Sequence, residues 1–177
     1  MLQTDGAEER RILQERAKIL ALPDVVEAAD SADEIYVVQF LVAGQSYAFD
    51  GSMVREVSLC KQLTRIPCTP RFIAGVVNVR SEIIPVLDIR NLFQLPAGWP
   101  NNCKLIVLQS ADTRLGVLAD DVIGVTTLSL ARLQPPLPNM APEQTRYMRG
   151  LADGPIIFID AQSLIDDPRI AVNETVD

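Results

Sequence analysis

From residue 35 onward, apolar residues recur in short alternating runs, each broken by a small, polar or glycine-containing turn. A period of two is the signature of half-buried strands. The rhythm predicts strands over 35–42, 47–49 and 53–59, with turns at 43–46 and 50–52, where Asp50 is placed to act as a cap. The stretch 63–93 follows, punctuated by Pro67, Pro70 and Pro85. Inside it, 73–79 and 82–87 read as a hairpin over Arg80-Ser81. Proline cannot donate to a ladder, so Pro85 predicts an edge or bulge position for the second strand. Asp88 opens a short helical turn. Beyond the loop 96–102, strands are predicted over 103–109, 115–119 and 122–127, with Asp120-Asp121 bridging the last two. After the proline-rich loop 135–142, segments 147–152 and 156–159 form a closing hairpin, and 160–165 a last helical turn. Residues 167–177 read as a tail.

Before residue 35 the pattern is helical. Ile12-Leu13 and Ile19-Leu20 recur at seven-residue spacing among charged residues, a narrow apolar stripe that Pro23 ends. Residues 1–34 are thus a helical arm followed by an acidic linker. The arm suits packing on its own domain and presentation to a partner equally, and one repeat is too short for a coiled coil.

The β region repeats itself. A shift of 68 residues lays Ile35 on Cys103, Phe49 on Val117, Val54 on Val122, Val57 on Val125 and Pro67 on Pro135. After a small deletion Gly75 meets Gly150, Asp88 meets Asp160 and Leu92 meets Leu164. Each copy reads strand, strand, strand, loop, hairpin, helical turn. Many short strands without long helices predict a small barrel. Two copies predict two barrels, each too small to stand alone, packed on one another. The copies also supply a contrast. Features they share belong to the fold. Glu56 meets Gly124, and the turn around Arg80 has no cationic counterpart at the shorter turn Asp153-Gly154, so Glu56 and Arg80 are candidates for function. On neighbouring strands they would form an exposed ion pair that positions Arg80.

Composition narrows the chemistry. The 177 residues carry a net charge of −7, which disfavours nucleic acid and anionic membrane as partners. Hydrophobic residues make up 48% but aromatics only 5%, so Val, Ile and Leu must fill the core. There is no histidine, which removes imidazole catalysis and imidazole metal ligation. Cys60, Cys68 and Cys103 lack C-x-x-C spacing and read as reduced thiols, so no metal site is expected. Neither a secretory signal nor a run long enough to span a membrane is visible, which predicts a cytoplasmic protein. Asp120-Asp121 and Asp166-Asp167 read as solvated turn acids, because neighbours on a strand point to opposite faces. No nucleophile elbow or phosphate loop is present, so the chain reads as not an enzyme and as needing no cofactor.

The run from Thr64 to Arg80, followed by Ile84 to Arg90, resembles the signature of the CheW family of bacterial chemotaxis coupling proteins. Val54-Arg55-Glu56-Val57 upstream, Gly150-Leu151 and 156–164 downstream fit as well, so the resemblance covers about 35–166. It implies a mainly β fold of two intertwined five-stranded SH3-like barrels, which agrees with the repeats near 35–95 and 103–166. It implies a non-catalytic adaptor, with no cofactor, in a bacterial chemosensory pathway. Its partners would be the regulatory domain of a CheA-type histidine kinase and the cytoplasmic tip of methyl-accepting chemoreceptors. The protein would be recruited to membrane receptor arrays without direct membrane insertion. Positions matching Val54, Glu56, Gly75 and Arg80 would couple to kinase or receptor, with Val79 as their neighbour. The adaptor reading predicts exposed apolar residues bordering Glu56 and Arg80. A ligand- or peptide-binding double barrel outside chemotaxis would instead show an enclosed apolar pocket between the barrels. The family usually has Gly after the arginine; Ser81 here predicts an altered turn.

Overall fold

The computed structural model describes residues 33–170. The predicted arm and nearly all of the linker lie outside the described residues. Ten strands and three short helices follow in order: β1 (Glu34–Val42), β2 (Gln45–Asp50), β3 (Val54–Leu59), β4 (Ile73–Val79), β5 (Glu82–Leu87), α1 (Ile89–Leu92), β6 (Lys104–Ser110), β7 (Thr113–Ala119), β8 (Asp121–Ser129), α2 (Pro142–Arg146), β9 (Met148–Ala152), β10 (Ile156–Ile159) and α3 (Ala161–Ile165). Each predicted strand is present, within a few residues of its expected ends.

The strands form two five-stranded sheets, ordered β8-β1-β2-β10-β9 and β3-β6-β7-β5-β4. Each sheet takes strands from both sequence repeats. The boundaries 35–95 and 103–166 therefore mark the repeats and not the barrels: β3 leaves its own repeat to pair with β6, and β8 leaves its own to pair with β1. Exchange of equivalent strands is what intertwines the barrels. Pro85 needs a similar correction. Its strand β5 is interior, and β4 is at the edge. The proline is tolerated because the β5–β7 pairing starts after it, at Val86 opposite Gly116.

Three hydrophobic clusters hold this arrangement. Val37, Ala48, Leu128 and Phe158 fill the first barrel. Val77, Ile84, Val86, Leu105, Val107 and Leu118 fill the second. The largest cluster draws on both sheets and includes Phe40, Tyr47, Phe49, Leu87, Ile106, Val117 and Tyr147. A chain of rings runs through it, Phe49–Phe40 at 4.8 Å, Phe40–Tyr47 at 5.8 Å, Tyr47–Phe93 at 6.1 Å and Phe93–Tyr147 at 6.3 Å between centroids. Five of the nine aromatic residues are spent here. Burial pushes the Tyr47 hydroxyl up to about 12, while Gln144 donates to it at 3.1 Å.

The repeat is legible in atomic detail. Asp88 accepts from the backbone of Arg90 and Asn91, and Asp160 from Gln162 and Ser163, so both cap a short helix. Thr64 bridges to Val76, and Gln134 to Leu151, each through two backbone bonds of 2.8–2.9 Å beside Gly75 and Gly150. Bulges recur at matching places, after Val54 in β3 and after Gln39 opposite β8.

Two acids expected to be solvated are not. Asp120 pairs with Arg90 Nη2 at 2.5 and 2.6 Å and accepts from the Ala43 backbone at 2.8 Å. Arg90 also donates to the Pro96 carbonyl at 2.8 Å and stacks over Trp99 at 4.6 Å. This network joins α1 to the β1–β2 turn, which belong to different sheets. Asp167 is buried with Ile170, so the tail starts beyond its expected position at 167. Tyr147 donates its hydroxyl to Asp167, and Arg169 Nη2 reaches the carboxylate at 3.0 Å and the Tyr147 oxygen at 2.5 Å. Arg169, above all, and the Tyr147 hydroxyl hold the Asp167 carboxyl well below the usual carboxylate range.

Candidate functional site

β3 and β4 are the two ends of the second sheet. Arg80, at the tip of the β4–β5 hairpin, reaches across to Glu56 on β3, with Nε 2.9 Å from Oε2. The predicted ion pair is therefore present. The Glu56 side chain is 20% exposed and that of Arg80 75%, so the carboxylate is sheltered while the guanidinium edge is presented to solvent. Such a pair contributes at most about 1 kcal/mol to stability. What it supplies is a fixed position for a forked donor suited to carboxylates.

Local sequence explains how both groups arrive there. In β3 the register shifts between Val54, opposite Leu108, and Glu56, opposite Val107. A bulge of this kind re-aims the following side chain. The same bulge in the second copy carries Gly124, at φ +145°, where the first has Glu56. On the hairpin, Arg80 and Ser81 have φ of +50° and +69°. Two central residues with positive φ are what a two-residue hairpin of the primed kind requires. Ser81 thus adopts the positive φ that favours glycine. The Asn78 side chain holds it by accepting from the Ser81 backbone at 3.0 Å.

Ser81 in this conformation carries strain of about 1–2 kcal/mol. Glycine would remove it but add about 0.5–1 kcal/mol of unfolded-state entropy. Ser81→Gly is therefore expected to raise stability by about 0.5–1 kcal/mol, read from urea denaturation midpoints at unchanged slope.

The remaining sequence candidates sit differently. Val54 is half-buried against the central cluster, and Val79 against the cluster inside the second barrel. Gly75 is buried at φ +147°, where a side chain would meet Thr64. Of the five, only Glu56 and Arg80 present charge at the surface; Val79 lines the cleft beside them, and Val54 and Gly75 lie against the interior.

Apolar surface that was not singled out by residue adjoins the site. Leu59, 44% exposed on β3, lines the same cleft as Glu56 and Arg80, while Val57, 41% exposed, lies on the other face of β3 and Ile83, 72% exposed, follows on β5. Glu56, Leu59, Lys61, Asn78, Val79 and Arg80 line one open cleft of about 350 Å³. A signal for this was present. Val54, Val57 and Leu59 do not keep a strict period of two, and a bulge is what breaks that period. Between the barrels, by contrast, the ring chain fills the space where an enclosed ligand pocket was the alternative.

Comparison with known proteins gives the same direction. Residues 36–169 match the family model described as CheW-like domain. Chemotaxis protein CheW of Klebsiella aerogenes is 30% identical over 141 residues, covering 77% of this chain and 85% of that protein. Chemotaxis protein CheW of Thermotoga maritima is 30% identical over 151 residues, covering 84% of this chain and 97% of that one. The crystal structure of scaffolding protein TtCheW from Thermoanaerobacter tengcongensis superposes with a TM-score of 0.63 at 31% identity, covering 71% of this chain and 88% of that one. With intertwined five-stranded sheets, a repeated scaffold and this breadth of match, the chain belongs to the CheW-like domain family.

Proposed function

We propose that this chain is a non-catalytic scaffold that couples chemoreceptors to a CheA-type histidine kinase in a bacterial chemosensory pathway. The observation that carries the reading is the sheltered Glu56 holding the exposed Arg80 at a cleft that the exposed Leu59 also lines. A positioned cation bordered by exposed apolar side chains is the make-up of a protein-docking surface. The regulatory domain of the kinase and the cytoplasmic tip of a methyl-accepting receptor are the proposed occupants, and the protein acts in the cytoplasm beside the membrane array. Among the described residues, no helix is long and apolar enough to cross a membrane.

Arg80→Glu tests the reading. The substitution puts a second carboxylate beside Glu56 and reverses the presented charge. Capture of the kinase regulatory domain or the receptor fragment should fall at least about tenfold, as for truncated hot spots, while stability changes by no more than about 1 kcal/mol, as befits an exposed pair. Unchanged capture of both partners by the folded variant would remove Arg80 from the docking surface.

A further inference from the structure

Three cysteines lie among the described residues, Cys60, Cys68 and Cys103, all with free thiols. Two of them meet. β3 and β6 run antiparallel with Ser58 opposite Leu105 and Leu59 opposite Lys104. One step further along that register, Cys60 faces Cys103, and the Cys60 backbone N–H donates to the Cys103 carbonyl at 3.1 Å. Opposed residues of this bonded kind have Cα atoms about 5.5 Å apart, within the range of about 4.4–6.8 Å that a disulfide spans. The Cys103 N–H turns away to the Pro100 carbonyl at 3.3 Å, so the ladder is fastened from one side only at this point. Both thiols are half-buried against the cluster inside the second barrel. Burial first, and Cys103 next, push the Cys60 thiol up to about 11. Cys68 is exposed on the loop after β3.

We propose that Cys60 and Cys103 are a modification site, closing to a reversible intramolecular disulfide when the protein meets a peroxide. One thiolate of the pair attacks a peroxide oxygen; the S–O bond forms as the O–O bond breaks, and the departing oxygen leaves as water with the thiol's proton. The second thiol then attacks the sulfenic sulfur; the S–S bond forms, the S–O bond breaks, and a second water leaves with the second proton. Each sulfur gives up one electron and the peroxide takes both. The bond ties β3, from the first repeat, to β6, from the second. It pins the end of the strand that carries Glu56, Val57 and Leu59. Burial of the Cys60 thiol keeps its thiolate scarce near neutral pH, so attack by Cys60 quickens as the pH rises.

The test is peptide mapping without reduction of the full chain after exposure to hydrogen peroxide. A Cys60–Cys103 cross-linked peptide in monomeric protein is expected, lost again on adding dithiothreitol. Cys68→Ser should keep it, and Cys60→Ser should abolish it. The oxidised protein should melt several degrees above the reduced form, since the link closes a long loop. Oxidation confined to Cys68, disulfides only between chains, or a lowered melting point on closure would each overturn the proposal.

Discussion

Arg90→Ala is expected to lose about 3–5 kcal/mol of stability, the cost of breaking a buried ion pair by removing one partner. The Arg90 side chain is nine-tenths buried, and it contacts three other residues. It forms two bonds to Asp120, accepts company from Trp99 at 4.6 Å, and donates to the Pro96 carbonyl. Removing it strands the Asp120 carboxylate between the sheets with only the Ala43 backbone N–H, 2.8 Å away, to satisfy it. Asp120→Ala should cost a comparable amount, because it leaves the more buried guanidinium with only the Pro96 carbonyl and the Trp99 ring. The double variant should lose less than the sum of the two, with a coupling of roughly 1.5–3 kcal/mol in a urea-denaturation cycle. Additive losses would mean that the two residues act on stability separately.

The sequence carried much of this fold and less of its wiring. Alternation placed the strands because one face of each is buried, and that is a local property. The caps at Asp88 and Asp160 were also local, since a carboxylate there reaches backbone N–H groups two and three residues on. Strand exchange was not local. β3 and β8 are copies of one strand, so each fits the edge that the other takes, and their patterns do not choose. Asp120 and Asp167 misread for a related reason. The partner of Asp120 is 30 residues away, and the Tyr147 that receives Asp167 is 20 residues away. Nothing in an adjacent acidic pair reveals a distant cation or hydroxyl. The Glu56–Arg80 pair was legible because the repeat made a comparison possible: the second copy has glycine at the same bulge. The positive φ of Ser81 was hidden because a serine seldom takes it, and the Asn78 side chain that supports it does so only once the hairpin has formed.

Gly75→Ala is expected to cost about 3–5 kcal/mol, adding backbone strain of 1–3 kcal/mol to the loss of two hydrogen bonds at about 1 kcal/mol each. A Cβ at Gly75 would lie 2.1 Å from the Thr64 carbonyl oxygen, a backbone atom that cannot swing aside. Thr64 would have to leave Val76, breaking bonds of 2.9 and 2.8 Å that tie the proline-rich loop to β4. The φ of +147° adds a penalty for any side chain. Two matched glycines separate these causes. Gly150, with its nearest contact at 3.0 Å and no positive φ, isolates crowding; Gly124, at φ +145° with open space around it, isolates strain. Each should cost about 1–2 kcal/mol when changed to alanine, well short of Gly75. The comparison bears on docking as well. If Gly75 supports the site through folding, Gly75→Ala should lose partner capture together with its melting transition, and a stabilising osmolyte should restore both. Arg80→Glu should lose capture alone, with no restoration. Capture lost by a Gly75→Ala protein of unchanged stability would instead make Gly75 a point of contact with the partner.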